Sequence, residues 1–405
     1  LRTMPQNSEN RDLSKNCVTA TRQWQITLPR ILPSTAFLLA LSLAGCGSSS
    51  GSGGTGSGGS GSGGSGSGGS GSGSNIYMTG DTSDPKGIYT VATYWKNGTA
   101  TNLSSIASYA DANAIAVDGS GNVYVAGDIY NLPAQQNIAT YWRNGTATLL
   151  TDGTSSAYAY AIDVDGSGNV YVAGETYDAA TLNPVATEWK NGAATNLTDG
   201  SSFAVAHAIT IDSSGNVYVA GSTTNTSASG VSPNTATYWK NGTAINLTHG
   251  TSYGGAFAIT VDVSGNVYVA GITSSATTGA TIATYWKNGV ATNLTDGTTN
   301  ATANAIMVDG SGNVYVAGAI ASASNNADNV ATYWKNGVAT SLTGGSSGAV
   351  ASAIAIDSSG DVYVAGDTIS ASNYSIATYW KNGTATNLTD GTGNAYVDAI
   401  ALSSN

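Results

Sequence analysis

Beyond residue 74 the hydrophobic and polar positions alternate in short runs with a period of two. In Asn-Val-Tyr-Val-Ala-Gly, residues 122–127, Val123 and Val125 share one face and Tyr124 takes the other. The runs Ile-Ala-Thr-Tyr-Trp, Thr-Ala-Thr-Asn-Leu and Ala-Ile-Ala-Val are built from the same β-forming residues, so four short strands are predicted per stretch. No run carries the spacing of an amphipathic helix. The Asn-Gly pair after Trp-Lys lies between two strand patterns and predicts a type I′ hairpin, whose two central positions both need positive φ. Asp-Gly-Ser-Gly marks a second tight connection.

The whole pattern recurs seven times. The Asn-Val-Tyr motif starts at Asn75, Asn122, Asn169, Asn216, Asn266, Asn313 and Asp361, with steps of 47, 47, 47, 50, 47 and 48 residues. One tryptophan falls in each copy, at Trp95, Trp142, Trp189, Trp239, Trp286, Trp334 and Trp380. Each Ala-Ile motif keeps the same phase, with Ile115, Ile162, Ile209, Ile259, Ile306, Ile354 and Ile400. A fixed period of this length signals a repeat architecture, and four antiparallel strands per period describe the blades of a β-propeller rather than a sandwich. The expected fold class is all-β: a seven-bladed β-propeller.

The stretch Ala-Ile-Ala-Val-Asp-Gly-Ser-Gly-Asn-Val-Tyr-Val-Ala-Gly resembles the bacterial β-propeller repeat known as SBBP and, more distantly, NHL-type blades. The resemblance covers residues 75–405 and implies that Ala-Ile-Ala-Val is the innermost strand and Asn-Val-Tyr-Val-Ala-Gly the second. The repeats begin with a second strand, from Ile76, and finish with an innermost one, Ala399 to Leu402. The first blade is therefore expected to borrow its innermost strand from the C-terminal end, a one-plus-three closure that removes open sheet edges. The same phase places both tight turns on one face of the ring and the longer connections on the other.

Residues 1–74 read as something other than fold. Arg22 and Arg30 precede an apolar run from Ile31 to Leu43, ending in Leu43-Ala44-Gly45-Cys46. This ending resembles the lipobox of bacterial lipoproteins, which implies a signal peptide over 1–45 and acylation of Cys46. A plain secretory signal or a short membrane anchor is the alternative, although the run is short for a bilayer span. Residues 47–74 are Gly and Ser broken only by Thr55, a composition that behaves as a flexible tether of about 30 Å mean reach. By resemblance, Gly47 after the cysteine implies the outer membrane. The first residue is Leu1, and the segment before Arg22 is long for a signal, so a misplaced start is expected.

Without residues 1–45 the chain holds 8 Lys and Arg against 22 Asp and Glu, a net charge of −14. Nucleic acid and anionic lipid surfaces need basic patches and are excluded as partners. Seven of the eight cations sit in the Trp-Lys-Asn-Gly turns, one per copy, and the eighth is Lys86. Cys46 is the only cysteine after Cys17 leaves with the signal, so no disulfide supports the ring.

Comparing the copies with one another locates the candidate site. The residue before each Ala-Ile varies while the neighbours stay fixed apart from Val397: Asn113, Tyr160, His207, Phe257, Asn304, Ser352 and Asp398. At the start of the innermost strand these would ring the channel mouth on the long-loop face, either as a ligand site or as drift in solvent. A second ring comes from the Leu-Thr-Asp-Gly connection, with Asp152, Asp199, His249, Asp296 and Asp390, which read either as turn residues or as ligands. Counted from the Gly of Val-Ala-Gly, the second-to-third connection varies from 10 to 14 residues and is longest at Ser222 to Thr235. The tryptophans, and the tyrosine of each Asn-Val-Tyr, read as inter-blade packing, with sugar-stacking platforms as the alternative.

Asp163-Val-Asp165-Gly-Ser167-Gly-Asn169 mimics the opening of a calcium loop, but Gly174 stands where a bidentate Glu is needed, so no metal is expected. The ring has two His, two Glu, and no Gly-x-Ser-x-Gly elbow, so no catalytic residue is assigned and no cofactor is expected. The expected function is a lipid-anchored cell-envelope binding or adhesion module, monomeric, taking a glycan or an envelope or extracellular protein on its long-loop face. A scaffold of an envelope complex is the alternative, and a polysaccharide lyase or hydrolase is the third reading.

Overall fold

The structure is a computed structural model that describes residues 74–403 apart from 85, 106–108, 225–233, 250–252, 323–328 and 346–347. The signal segment 1–45, Cys46 and the Gly/Ser linker up to residue 73 lie outside the described residues.

Seven four-stranded antiparallel sheets form the fold, and no helix occurs among the described residues. Blade 2 is representative, with Ala110–Val117 innermost, then Val123–Asn131, Gln136–Arg143 and Thr146–Leu149 outermost. The innermost strand of each blade contacts that of the next, and the strand of blade 7 contacts that of blade 1, so the ring is closed. Blade 1 is completed by Ala399–Ser403, which pairs antiparallel with Asn75–Ser83 from Asn75↔Ser403 to Thr79↔Ala399. The one-plus-three closure is thus present in the backbone pairing.

The turn chemistry explains why the tight-turn face is uniform. In every Lys/Arg-Asn-Gly turn the Asn has φ of 49–50° and the Gly 78–85°, the pair a type I′ turn requires. The Asn side chain is also a clamp. Asn144 Oδ1 accepts the Val123 N–H at 2.9 Å, and its Nδ2 donates to Asn122 Oδ1 at 2.8 Å. The other blades repeat this clamp, with Asp361 replacing the first Asn in blade 7 and gaining a 2.8 Å ion pair to Lys381.

The core lies between the blades. Each of the seven strand tryptophans is at most 1% exposed, which fits the packing reading rather than a platform open to ligands. The tyrosine of the second strand is equally committed. Its ring lies 4.9–5.4 Å beneath the cation of the neighbouring turn. In blades 2 to 7 its hydroxyl donates to the aspartate of the Asp-x-Ser-Gly connection at 3.1–3.2 Å.

Two extents differ from the sequence reading. The second strand continues past the Gly of Val-Ala-Gly, as in Val170–Tyr177, and the innermost strand begins upstream of Ala-Ile, as in Ala157–Val164. Both extensions pair with each other across a β-bulge. In blade 3 the register runs Ala159↔Gly174 and then Ala161↔Ala173, leaving Tyr160 unpaired. The same shift occurs in blades 2, 4, 5, 6 and 7. The bulge presses a carbonyl onto the opposite glycine: a Cβ at Gly174 would overlap the Tyr158 carbonyl oxygen, and one at Gly127 that of Asp111. This close approach is why all seven copies keep glycine there.

Candidate functional site

Six of the seven variable residues are the bulge residues of the innermost strands, and Asp398 directly precedes the innermost strand of blade 1, which corrects their expected depth. In blades 2 to 7 each is the fourth residue of its strand rather than the first. Asn113, Tyr160, Asn304 and Ser352 are buried, while His207, Phe257 and Asp398 are half-buried. The physical reason is the pairing of the last residues of each fourth-to-first connection, which lengthens the strand toward the long-loop face. A bulge residue has no cross-strand partner, so its side chain is released from the ladder and free to vary.

The seven are brought into one ring but play unequal parts. Asn113 Nδ2 donates to the Ala159 carbonyl of the next blade at 3.0 Å, and Asn304 Nδ2 does the same to Ala351 at 3.0 Å. These two fasten neighbouring blades. Across blades 3, 4 and 5 the ring is aromatic: Tyr160 and His207 centroids are 6.2 Å apart, and His207 meets Phe257 edge-on at 5.7 Å. Tyr158 extends this wall, stacked on Tyr160 at 5.9 Å.

Adjoining the aromatic wall at Tyr158 and Tyr160 lies a feature the sequence reading missed. The residue after each Val-Ala-Gly, or its counterpart, reads Asp81, Asp128, Glu175, Ser222, Ile272, Ala319 and Asp367 in blades 1 to 7. It stands in the extended second strand, next to the bulge, and pairs across the sheet as in Asp111↔Asp128 and Tyr158↔Glu175. Asp367, Asp398, Asp81, Asp111, Asp128 and Glu175 therefore form an acidic arc through blades 7, 1, 2 and 3. Asp81 reaches the neighbouring blade, its Oδ1 accepting the Ala112 N–H at 2.9 Å. Glu175 Oε1 accepts the Tyr160 hydroxyl at 3.1 Å and that of Tyr177 at 3.4 Å.

Burial pushes Asp81, Asp111, Asp128, Glu175 and Asp398 toward their neutral forms, and for Asp81, Asp128 and Asp398 the neighbouring carboxylates add to it. Burial raises Asp111 to about 6, and Glu175 to about 7 against the pull of the two tyrosine hydroxyls. Burial, then the charges of Asp367 and Asp111, carry Asp398 to about 8. Asp81 and Asp128 rise well above the usual carboxylate range for the same reasons. Burial alone lowers His207 to about 4, so its imidazole is neutral at physiological pH. Among the described residues no Lys or Arg forms an ion pair with Asp81, Asp111, Asp128, Glu175 or Asp398.

The second predicted ring does not join this site. Asp152 Oδ1 accepts the backbone N–H of Thr154 at 3.0 Å and its hydroxyl at 2.7 Å; Asp199, Asp296 and Asp390 do the same with Ser201, Thr298 and Thr392. They are exposed turn residues, and His249 is exposed as well. The calcium-loop mimic is similarly occupied by protein donors. Asp165 takes the N–H groups of Ser167 and Asn169, the Asn169 amide and the Tyr171 hydroxyl. Asp163 takes the N–H groups of Val164 and of Ile211 in the next blade.

Residues 193–227 match the family model described as a beta-propeller repeat, SBBP. No curated protein matches the chain. Among solved structures, a puromycin-hydrolyzing peptidase from Mycobacterium tuberculosis aligns over 78% of this chain and 52% of its own, at 12% identity and a TM-score of 0.52. An acylaminoacyl peptidase from Pyrococcus horikoshii aligns over 78% of this chain and 50% of its own, at 11% identity and a TM-score of 0.48. An ulvan lyase of a polysaccharide lyase family aligns over 71% and 83%, at 10% identity and a TM-score of 0.44. This chain spans about half the length of the two peptidases. At such identity the first likeness shows the propeller fold alone.

Proposed function

We propose that the ring is a binding module of the bacterial cell envelope that takes its ligand at the long-loop end of the central channel. One observation carries the reading: a backbone repeated seven times departs from repetition in side-chain chemistry at two adjoining positions, the bulge and the residue after Val-Ala-Gly. Their residues divide the wall into an acidic arc and an aromatic arc, an arrangement that packing does not require. A glycan or an envelope or extracellular protein is the proposed partner class.

The remaining parts of the proposal rest on the sequence alone. Cys46 is the acylation site, the Gly/Ser stretch is the tether, and the location is the outer membrane. Asn75 and Ser403 pair at the tight-turn face, so a tether entering there would point the long-loop face away from the membrane. Labelling with radioactive palmitate should mark the wild-type chain and leave Cys46→Ser unlabelled.

Glycan arrays and envelope pull-downs with the ring test the site. The triple variant His207→Ala, Phe257→Ala and Asp398→Ala should lose the ligand while melting like a folded ring. Retained binding by that variant overturns the channel site. Retained capture of an envelope protein in the same experiment favours the scaffold reading, in which the exposed outer strands make the contact.

A further inference from the structure

The aromatic part of the ring is continuous, and each link in it is a direct contact. Tyr160 stacks on Tyr158 with centroids 5.9 Å apart and planes 9° from parallel, His207 lies 6.2 Å from Tyr160, and Phe257 meets His207 at 5.7 Å and 78°. Tyr177 stands 6.5 Å from Tyr158. The five rings come from blades 3, 4 and 5, and all but Tyr160 keep part of their surface exposed, unlike the seven strand tryptophans. The corresponding position of the other four blades holds Asn113, Asn304, Ser352 and Asp398, so the aromatic faces are confined to one sector.

Two polar groups joined to this wall have bonding capacity to spare. Glu175 is 5% exposed, and the hydroxyls of Tyr160 at 3.1 Å and Tyr177 at 3.4 Å both donate to its Oε1, leaving Oε2 without a partner among the described residues. The imidazole of His207 makes no hydrogen bond among the described residues; its contacts are the two rings beside it. Because burial keeps it neutral, one ring nitrogen offers a donor and the other an acceptor. An apolar ligand that covered the wall would leave both groups desolvated and unpaired, which is costly. The wall thus asks for a ligand that is apolar on its face and polar at its edge.

Resting on the binding-module reading above, we infer that the ligand is an uncharged glycan, whose pyranose rings stack on the wall of Tyr160, His207 and Phe257 and whose hydroxyls pair with Glu175 Oε2 and the His207 imidazole. The C–H face of a pyranose gains dispersion contact with an aromatic ring, and its hydroxyls lie around the rim of that face. A hydroxyl also suits a carboxyl that titrates near neutrality, because it donates to the ionised form and accepts from the protonated one. Anionic glycans are disfavoured. Seven of the eight ring cations lie over the second-strand tyrosines at the tight-turn face, so none of those seven is beside the wall to pair with a uronate or a sulfate. The residues beyond Gly45 add a net charge of −14, which repels such a ligand at longer range.

Titration calorimetry of the full-length protein at physiological salt tests the inference, with cellohexaose, mannohexaose and chitohexaose as uncharged probes and hexagalacturonate as the anionic one. Saturable binding of at least one uncharged probe is expected, with hexagalacturonate at least about tenfold weaker. His207→Ala should weaken that binding at least about tenfold, and Phe257→Leu should bind at least about fivefold more weakly than Phe257→Tyr, which keeps an aromatic face. Thermal midpoints of the variants verify that each is folded. Tyr374→Ala, an exposed ring in the second-to-third connection of blade 7, should leave affinity within about twofold. Equal affinity of the two Phe257 variants means that no ring is stacked there and overturns the inference. Hexagalacturonate binding as tightly as the best uncharged probe, or no binding of any uncharged probe, overturns it too. If every probe fails while an envelope protein is captured and is lost in the triple variant, the glycan inference falls and the binding-module reading stands. Probe binding that survives the triple variant overturns both.

Discussion

Deleting Ala399–Asn405 should open the ring at blade 1. The deletion removes the whole innermost strand Ala399–Ser403 and with it the five backbone pairs from Asn75↔Ser403 to Thr79↔Ala399. Ile400 is buried with Leu402 packed against the same cluster, and Ala399 and Ala401 are buried in the cluster on the other face of the strand. Burying a large aliphatic side chain contributes about 1.5–3 kcal/mol and a methyl about 0.8 kcal/mol. Ile400, a partly buried Leu402 and two alanines together contribute about 6 kcal/mol, an upper figure because unfolded chains already hide some of that area. Natural domains retain about 5–15 kcal/mol in total, so the deletion consumes most of the margin.

Thermal unfolding followed by near-ultraviolet circular dichroism, which reads the strand tryptophans, should show the midpoint falling by at least about 10 °C. The exposed edge of Asn75–Ser83 should also promote aggregation, visible by size-exclusion chromatography. As a control, Ile400→Ala in the full chain should cost about 2–5 kcal/mol without aggregation, because the strand still covers the edge. A peptide spanning residues 395–403 should restore the midpoint of the deleted form in proportion to its concentration. A deleted chain that melts within about 2 °C of the full one and stays monomeric would falsify the closure argument.

Three further outcomes can be checked in the same assays. Asp111, Glu175 and Asp398 titrate near 6, 7 and 8 in the ring, against about 4 in an unfolded chain, so the folded state binds more protons over that window. Stability without ligand should therefore fall as pH rises from about 4 to about 8, and Asp398→Asn should flatten the slope; a midpoint that climbs over this window contradicts the burial argument. Gly174→Ala should destabilise by more than about 2 kcal/mol, because the new methyl meets the Tyr158 carbonyl, and a neutral result in chemical denaturation would mean the bulge can shift. Trp286→Ala should cost about 3–5 kcal/mol in the same measurement, while a loss of glycan binding without a loss of stability would return the tryptophan to the ligand-platform reading.

The parts of the fold visible in the sequence are those fixed by local chemistry. Asn-Gly pairs declare their own φ values, and the phase of the repeat declares which strand is shared between the ends. The buried tryptophans follow from one aromatic at one strand position in every copy. The bulge was hidden because it adds a residue without disturbing the 47-residue period. Its trace was a glycine inside a strand, Gly127 in Val-Ala-Gly, which the pattern alone assigns to a strand end. Placing the end there consigned Asp128 and Glu175 to a connection, although each pairs within the sheet, to Asp111 and Tyr158. The acidic arc also joins residues of different blades, such as Asp81 and Asp111, and no reading of one cassette brings these together.

The bulge links the symmetry of the ring to the asymmetry of its channel. A paired residue in an innermost strand is held by its ladder partner and by the adjoining blade, so Ala112 and Ala114 stay alanine in blade 2, as their counterparts do in blades 3 to 7, while blade 1 has Val397 and Ala399. The bulge residue between them escapes the ladder constraint, and the glycine opposite provides the room. Six such releases, with Asp398 ahead of the strand in blade 1, give variable side chains at matching positions around the ring. The residue following the glycine adds a second tier, where blades 7, 1, 2 and 3 carry acids and blades 4, 5 and 6 carry Ser222, Ile272 and Ala319. Carboxylates crowded on one side raise one another's proton affinity, and the cost grows with each addition. An arc of six acids is therefore a configuration that packing alone disfavours, which is why the proposed binding site rests on it rather than on the tryptophans or the turn aspartates.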